Sequence, residues 1–302
     1  MSGSQAERRW WWIGDREHPE FAPAWESLQA EFPPDQVFQQ ADEALAALAH
    51  VESPQLILLA TRFPGDLPSD TAARLIVAAP LARSVALLGS LCEGEGRSGV
   101  PWPGVVRYYW HQWQWRLAAD LRRWRHGGGR GSNGVRPSRL PWELPLTATE
   151  DERCLLSVWA FPGARTKNSI AVAGYDAASV ETLAECVRAA GYPATIIPYE
   201  VASQATNARA VYLGMTAVIW DGCGPFDQQR SHLARLAQSF APLPVVAVLG
   251  FPRHQDILAA TADGVRAVVS KPYQLGELAL ALDFAVTLTG SPQTLPATPG
   301  AP

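Results

Sequence analysis

Short apolar runs alternate with helical segments through the second half of this 302-residue chain. The predicted strands are Ile170 to Ala173, Ala194 to Ile197, Ala217 to Trp220, Val245 to Leu249 and Val265 to Val269. The predicted helices are Ser179 to Ala190, Ala202 to Leu213, Gln228 to Phe240, His254 to Ala262 and Leu275 to Leu288. Runs of Val, Ile and Ala are typical of strands that are buried on both faces. Their alternation with helices predicts an α/β fold, a doubly wound parallel sheet.

The carboxyl ends of these strands carry the candidate functional residues. In open doubly wound sheets the ligand crevice lies at this edge. Asp221 follows one strand and is separated from Pro225 by a short loop, whereas Lys271 follows the last strand, directly before Pro272. We therefore expect Asp221 and Lys271 to lie in one crevice.

This combination of an Asp with a downstream Pro and a later Lys-Pro resembles the receiver domains of response regulators. The resemblance implies a flavodoxin-like sheet of order 2-1-3-4-5. It also implies that Asp221 is the phosphoacceptor-like residue, that Lys271 is the phosphoryl-sensing-like residue and that a cis bond precedes Pro272. A partner-binding face including Tyr273 and the helix from Leu275 is implied as well.

The chain departs from the receiver pattern at two strand ends. Gly174 and Tyr175 stand where a receiver has its acidic pair, which leaves Asp176 as the residual acidic residue. Leu249 stands where a receiver has a hydroxyl residue. Because Mg²⁺ takes several oxygen ligands, the incomplete carboxylate set argues against Mg²⁺, and no cofactor is expected.

Two interpretations of Asp221 follow from the resemblance. In the first, an Asp221–Lys271 salt bridge locks the fold, and the protein is a non-enzymatic pseudo-receiver that binds a protein partner of a signalling pathway. In the second, Asp221 accepts phosphate, and the chain is a response regulator that signals by a population shift. An enzyme is disfavoured because the chain lacks a phosphate-cradling Gly loop, a Ser elbow and a paired acid and base.

The first half repeats the plan without the phosphotransfer residues. Its predicted strands are Trp10 to Ile13, Gln55 to Leu59, Val85 to Leu88 and Val105 to Trp110, and its predicted helices are Phe21 to Glu31, Ala41 to His50 and His111 to Trp124. Ala60 stands at the acceptor position, before Pro64, and this half contains no Lys-Pro. We predict a degenerate receiver-like domain here.

A glycine-rich loop from Cys92 to Pro103 replaces the expected fourth helix. The first half resembles uncharacterised degenerate receiver-like proteins of planctomycete-type bacteria in the strings Cys-Glu-Gly-Glu, Pro-Trp-Pro-Gly and Tyr-Trp-His-Gln-Trp. The residues that could form a metal site or a cysteine nucleophile with a base are Cys92, Glu93, Glu95 and His111. Their spacing matches no ligand pattern. The density of Gly and Pro favours a turn-rich loop covered by Trp102, Trp110 and Trp113.

Composition divides the chain into four parts. We predict a degenerate receiver-like domain over 1–125, a Gly/Arg/Pro-rich linker over 126–166, an atypical receiver domain over 167–289 and a disordered tail over 290–302. Within the linker, 136–145 is expected to be extended, and the run from Leu155 to Ala160 predicts an extra strand.

Charge and cysteine content narrow the partners and the location. Arginines concentrate in one span, at Arg116, Arg122, Arg123, Arg125, Arg130, Arg136 and Arg139, against Asp120 alone. They could neutralise nucleic-acid phosphates, but nothing resembles a base-reading motif, so nucleic acid is not expected. The four widely spaced cysteines favour reduced thiols. Without a signal peptide or an apolar run long enough for a membrane span, the protein is expected to be cytoplasmic, and a homodimer is an open arrangement.

Overall fold

The computed structural model describes residues 8–93, 102–125, 140–145, 147–159, 169–198 and 214–287. The chain divides into two compact units, Met1–Ala160 and Phe161–Pro302. Each unit contains one five-stranded parallel sheet. None of the helices in the described ranges is long and apolar enough to cross a membrane.

The first unit orders its strands β2-β1-β3-β4-β5. The strands are β1 (Trp10–Ile13), β2 (Gln36–Phe38), β3 (Leu56–Thr61), β4 (Arg83–Leu88) and β5 (Val106–Tyr109). The α-helices are α1 (Ala22–Glu31), α2 (Ala41–Ala47), α3 (Ser69–Ala78), α4 (Ala118–Arg125) and α5 (Glu150–Trp159). Short 3₁₀ turns lie at Ser90–Cys92, Trp110–Gln112 and Pro141–Glu143, and one π-helical turn lies at Trp113–Leu117.

Helices cover both faces of the first sheet, which explains the run of three tryptophans in β1. Trp11 packs in one cluster with Ala44 of α2 and Leu75 of α3. Trp12 points to the opposite face, where its ring meets Trp25 of α1 at 5.3 Å between centroids. Since successive side chains of a strand alternate between faces, an apolar run is buried only when both faces are covered.

The second unit has the strand order β7-β6-β8-β9-β10. Numbered within the unit, this is again 2-1-3-4-5. The strands are β6 (Ser169–Gly174), β7 (Ala194–Ile196), β8 (Met215–Asp221), β9 (Val245–Gly250) and β10 (Val265–Lys271). The helices are α6 (Ala177–Ala189), α7 (Phe226–Phe240), α8 (His254–Ala262) and α9 (Leu275–Thr287). The two flavodoxin-like doubly wound sheets confirm the predicted fold class. The helix predicted at 202–213 lies outside the described residues.

The segment from 140 to 159 differs from its prediction. Pro141–Glu143 forms a 3₁₀ turn instead of an extended stretch, and the run predicted as an extra strand from Leu155 belongs to α5. The cause is a capping box: Glu152 accepts a hydrogen bond from the Thr149 backbone N–H at 2.7 Å, and the Thr149 hydroxyl accepts one from the Glu152 N–H at 3.2 Å. This local start signal outweighs the β-propensity of the apolar residues that follow. The predicted linker over 126–139 and the tail over 290–302 lie outside the described residues.

Candidate functional site at the carboxyl edge of the second sheet

Asp221 and Lys271 are the last residues of β8 and β10, on either side of β9. Asp221 pairs with Gly174 of β6 and with Val248 of β9. Lys271 pairs with Gly250 of β9. The parallel register therefore brings both residues to one edge of the sheet, as the sequence predicts.

An ion pair joins the two residues. Lys271 Nζ lies 2.6 Å from Asp221 Oδ1, and the same nitrogen donates a hydrogen bond to the Gly222 carbonyl at 3.0 Å. The Asp221 side chain is 1% exposed and that of Lys271 is 28% exposed. Within the described residues, no other donor reaches either carboxylate oxygen of Asp221. Since a buried charge is costly unless it is paired, Lys271 is the group that stabilises the Asp221 carboxylate. The peptide bond before Pro272 is cis, as the resemblance implies.

Gly174 occupies the position next to Asp221 where a receiver has an acidic residue. A Cβ atom at Gly174 would lie 2.7 Å from Val180 Cγ2 and 2.9 Å from Asp221 Cβ. Real Cβ atoms do not approach other heavy atoms this closely, so any side chain here requires β6 or Asp221 to shift. The site therefore has no carboxylate at this position. It also lacks the space for one.

The next two residues are engaged in contacts of their own. The Tyr175 ring meets Trp220 at 5.1 Å and His232 at 5.5 Å between centroids, both edge to face. Asp176 is exposed and caps α6, because its carboxylate accepts a hydrogen bond from the Ser179 N–H at 2.7 Å. The carboxylate that the sequence leaves as a residual acidic residue is thus used to start a helix.

Leu249 gives the crevice an apolar wall. Its side chain is 1% exposed and, unlike the hydroxyl residue of a receiver, offers no hydrogen bond. Ser270, its partner on β10, has a buried hydroxyl oxygen that makes no hydrogen bond with the described residues. The sequence analysis did not single out Ser270, since no motif marks it.

Tyr273 is half-buried beside α6. Burial raises the pKa of its phenol, and the nearby Cys186 thiol adds to this effect, so the hydroxyl stays protonated. Most residues of α9 are buried, including Asp283, whose carboxylate accepts a hydrogen bond from the Tyr192 hydroxyl. The face that the resemblance assigns to partner binding therefore offers little free surface from α9.

Two exposed apolar side chains lie on the neighbouring loop and helix. Phe251 is 68% exposed and has a positive φ of 46°, which a bulky side chain rarely adopts. Leu258 of α8 is 51% exposed. Neither was anticipated, because an isolated apolar residue in a sequence carries no signal of its exposure.

The first unit has different residues at the same places. Strand β3 pairs with β4, and β4 with β5, in the register that β8 has with β9 and β9 with β10. Ala60 precedes Pro64 by four residues, as Asp221 precedes Pro225, and when these two residues are matched, the strand pairing makes Trp110 the counterpart of Lys271. Ala60 and Trp110 are both buried, so an apolar pair stands where the second unit has charges.

Among the described residues, the candidates Cys92, Glu93 and His111 form no metal-binding group. Cys92 is buried, and its thiol donates to the Thr61 carbonyl at 3.7 Å. His111 Nε2 lies 4.0 Å from Glu93 Oε1, and burial lowers the pKa of this histidine to about 3, so the ring is neutral. Glu95 lies outside the described residues. Across the described part of the chain, no group of three or more His, Cys, Asp or Glu side chains could hold a metal ion.

Carboxylates or carbonyl groups of the first unit bind the arginines of the basic span. Arg116 pairs with Glu150, Arg122 with Glu31, and Arg123 with Asp120. Arg125 donates to the Glu31 carbonyl at 3.2 Å. The later members Arg130, Arg136 and Arg139 lie outside the described residues. The described arginines of this span thus make contacts within the first unit.

No family model matches this chain. No curated protein matches it either. Among solved structures, the chain is similar to a protein of Burkholderia pseudomallei described as pilus assembly-related, with 26% identity over 40% of this chain and 90% of that one, at a TM-score of 0.36. It is also similar to a response regulator receiver domain protein of Clostridium thermocellum, with 16% identity over 41% and 97% of the two chains, at a TM-score of 0.32. The strand order itself establishes the fold.

Proposed function

We propose that this protein is a non-enzymatic signalling protein that acts by binding another protein. Its two receiver-like domains correspond to the two sheets, and the second retains only the acceptor-like Asp221 and the Lys271 of a phosphotransfer site. The observation that carries the proposal is the buried 2.6 Å ion pair between these residues. The described residues around this pair do not supply the other groups that the chemistry needs.

Metal-assisted phosphoryl transfer to Asp221 requires ligands that this crevice does not supply. Mg²⁺ prefers near-octahedral oxygen coordination and binds through carboxylates that face it. Here Gly174 has no side chain, Tyr175 packs on Trp220, and Asp176 caps α6. Leu249 provides no hydroxyl group for the phosphoryl oxygens. The ion pair is then a structural lock that holds the domain in one state.

A domain in one state can still signal by presenting a constant surface. Phe251 and Leu258 lie on consecutive elements, the β9–α8 loop and α8, and both expose most of their apolar side chains. Contiguous exposed apolar patches mark protein-binding surfaces. This surface, together with Tyr273, is where we place the partner.

Intact mass measurement after incubation with Mg²⁺ and acetyl phosphate tests this proposal. We expect no acid-labile phosphoryl adduct under conditions that label an ordinary receiver domain run in parallel. An adduct that disappears in Asp221→Asn and persists in the control Asp227→Asn, an exposed carboxylate at the start of α7, would overturn the proposal. It would favour the alternative function, a phosphorylatable response regulator that uses Asp221.

A further inference from the structure

A pocket of about 190 Å³ opens at the carboxyl edge of the first sheet. The ends of β1 and β3, the start of α2 and the loop that follows β3 line it. Ala60 is one of its walls, and the counterpart of this residue in the second unit is Asp221. The pocket therefore includes space that a carboxylate takes up in the second unit.

Backbone forms another wall of the pocket. Gly14 has a φ of +122°, and a Cβ atom there would lie 2.3 Å from the Ala60 carbonyl oxygen. No other residue fits this position without a shift of the strands. The close approach of the two strand ends fixes the shape of the pocket independently of side-chain rotamers.

Arg62 is held rigidly at the edge of the pocket. Its Nε donates to Asp66 Oδ2 at 3.0 Å and its NH2 group donates to Asp66 Oδ1 at 2.6 Å. The Arg62 backbone N–H donates to Asp66 Oδ2 at 2.9 Å. The remaining nitrogen, NH1, makes no hydrogen bond with the described residues. Asp66 thus orients one edge of the guanidinium. The N–H groups of NH1 can donate hydrogen bonds to a ligand.

Asp15 supplies the opposite charge. It lines the same pocket, and its Oδ1 accepts a hydrogen bond from the Glu17 N–H at 3.0 Å. Its Oδ2 accepts none from the described residues. The Asp15 charge acts on Arg62, where it adds to the larger effect of Asp66 in raising the pKa of the guanidinium. A carboxylate and a guanidinium, each with unused hydrogen-bonding capacity, therefore border one small cavity.

We propose that this pocket binds a free polar α-amino acid, with its ammonium group on Asp15 and its carboxylate on Arg62 NH1. Charge-assisted hydrogen bonds of both signs suit a zwitterion, whereas Asp15 and Asp66 would repel a simple anion. The volume exceeds what single waters need and lies below the roughly 300–1,000 Å³ of pockets for drug-sized ligands. Gln39 and Gln40 at the rim can bind a polar side chain. This site is on the first unit and is independent of the function proposed for the second.

Calorimetric titration of the full-length protein with L-serine, L-asparagine and L-glutamine tests the proposal, supported by thermal shift with the same probes. We expect saturable binding of at least one of them and a corresponding rise in the melting temperature. Asp15→Asn and Arg62→Gln should each weaken it by about tenfold or more, the effect of losing one hydrogen bond to a charged group. Ala60→Val, which fills the pocket and leaves both charges in place, should weaken it without disturbing the Arg62–Asp66 pair. Asp221→Asn should leave it unchanged.

Ligand analogues separate the two charge contacts. Ethanolamine lacks the carboxylate of L-serine and 3-hydroxypropionate lacks its ammonium group, so neither should compete with a bound amino acid. Failure of all three amino acids to bind would overturn the proposal. So would binding that survives in both Ala60→Val and Asp15→Asn, or equal binding of ethanolamine.

Discussion

The two units have the same strand order, but they carry different residues at the two strand ends that meet in the crevice. The second unit places the buried Asp221 carboxylate against Lys271, whereas the first places Ala60 and Trp110 at the same positions. The doubly wound sheet therefore forms with or without a charge pair at this edge. What changes is how the space is used: an ion pair fills it in one unit, and a small pocket remains in the other.

The first unit also contains buried charged groups. They contact the edge strand β5 and the helical segment that follows it, and they do not lie in the crevice. The Tyr108 hydroxyl donates to Asp120 Oδ2 at 2.8 Å, and the Arg116 guanidinium lies 4.8 Å from the Tyr108 ring centroid. Arg116 also pairs with Glu150, the first residue of α5. This network attaches α5 to the unit. The crevice charges of the second unit are therefore not needed to build the sheet.

The largest expected difference between the two units is in how their stability depends on pH. We predict that His111 makes the first unit less stable in acid. Its folded pKa of about 3 lies below the ordinary value of 6.5 because the ring is buried. A depressed folded pKa means that the unfolded chain binds the proton first, so stability is full above about pH 6.5 and falls as the pH drops towards 3. The loss should be about 1.4 kcal/mol per pH unit within that window. Urea unfolding at several pH values, followed by the fluorescence of the first unit's tryptophans, measures it.

A histidine variant gives this prediction its control. His111→Phe keeps the stacked ring next to Trp110 and removes the titrating group, so most of the slope below about pH 6.5 should vanish. His232→Phe in the second unit should change the slope much less, because that ring is far less buried. An unchanged slope in His111→Phe would show that another group controls the acid response.

The second prediction concerns the attachment of α5 to the first unit. Glu150→Ala removes a carboxylate that pairs with Arg116, whose side chain is 2% exposed. The free energy of unfolding should fall by up to about 3 kcal/mol, because a buried guanidinium loses an ion pair. Arg122→Ala removes an exposed pair with Glu31 and should cost less than about 1 kcal/mol. Equal losses in the two variants, measured by urea unfolding, would contradict a buried anchoring role for Arg116.

The sequence was sufficient for the elements that carry strong periodic or compositional signals. Each strand of the second unit contains a short run of Val, Ile or Ala, and α8 matches its predicted bounds at His254–Ala262. Strand β2 was missed because three partly exposed residues, Gln36–Phe38, give no apolar run. Helix α3 was missed as well, and α5 was taken for a strand although Thr149 and Glu152 form a capping box. Capping residues were therefore the usable signal that the sequence analysis overlooked.

The candidate site was predicted in part for a physical reason. The carboxyl ends of parallel strands lie at one edge of a sheet, so the topology alone brings Asp221 and Lys271 to the same edge, on either side of β9. The contact of Tyr175 with Trp220 and the close approach of Gly174 to Asp221 depend on side-chain packing and on the separation of the two backbones. No sequence pattern specifies either quantity.

The third prediction tests whether the ion pair of the second unit is a lock. Asp221→Ala copies the residue of the first unit and leaves Lys271 unpaired, while Lys271→Ala leaves a carboxylate that is 1% exposed. Each should lower the free energy of unfolding by roughly 1–3 kcal/mol, the effect of leaving a charged group without its hydrogen-bonded partner. The double variant should lose less than the sum of the two. Additive losses in urea unfolding would mean that Asp221 and Lys271 do not couple. The pair would then make no specific contribution to the free energy of unfolding of the second unit.

The smallest expected effect distinguishes a capping carboxylate from a remnant of a metal site. Asp176 accepts the Ser179 N–H at 2.7 Å at the start of α6. Asp176→Ala should therefore cost about 1 kcal/mol, and Asp176→Ser should recover most of it, because Ser caps about as well as Asp but is a poor ligand for Mg²⁺. Urea unfolding of both variants, with and without millimolar Mg²⁺, measures the two properties together. If Asp176→Ser is as unstable as Asp176→Ala, or if Mg²⁺ stabilises only the unmodified protein, the carboxylate itself is required. The second crevice would then be closer to a phosphorylatable receiver site than the Asp221–Lys271 pair indicates.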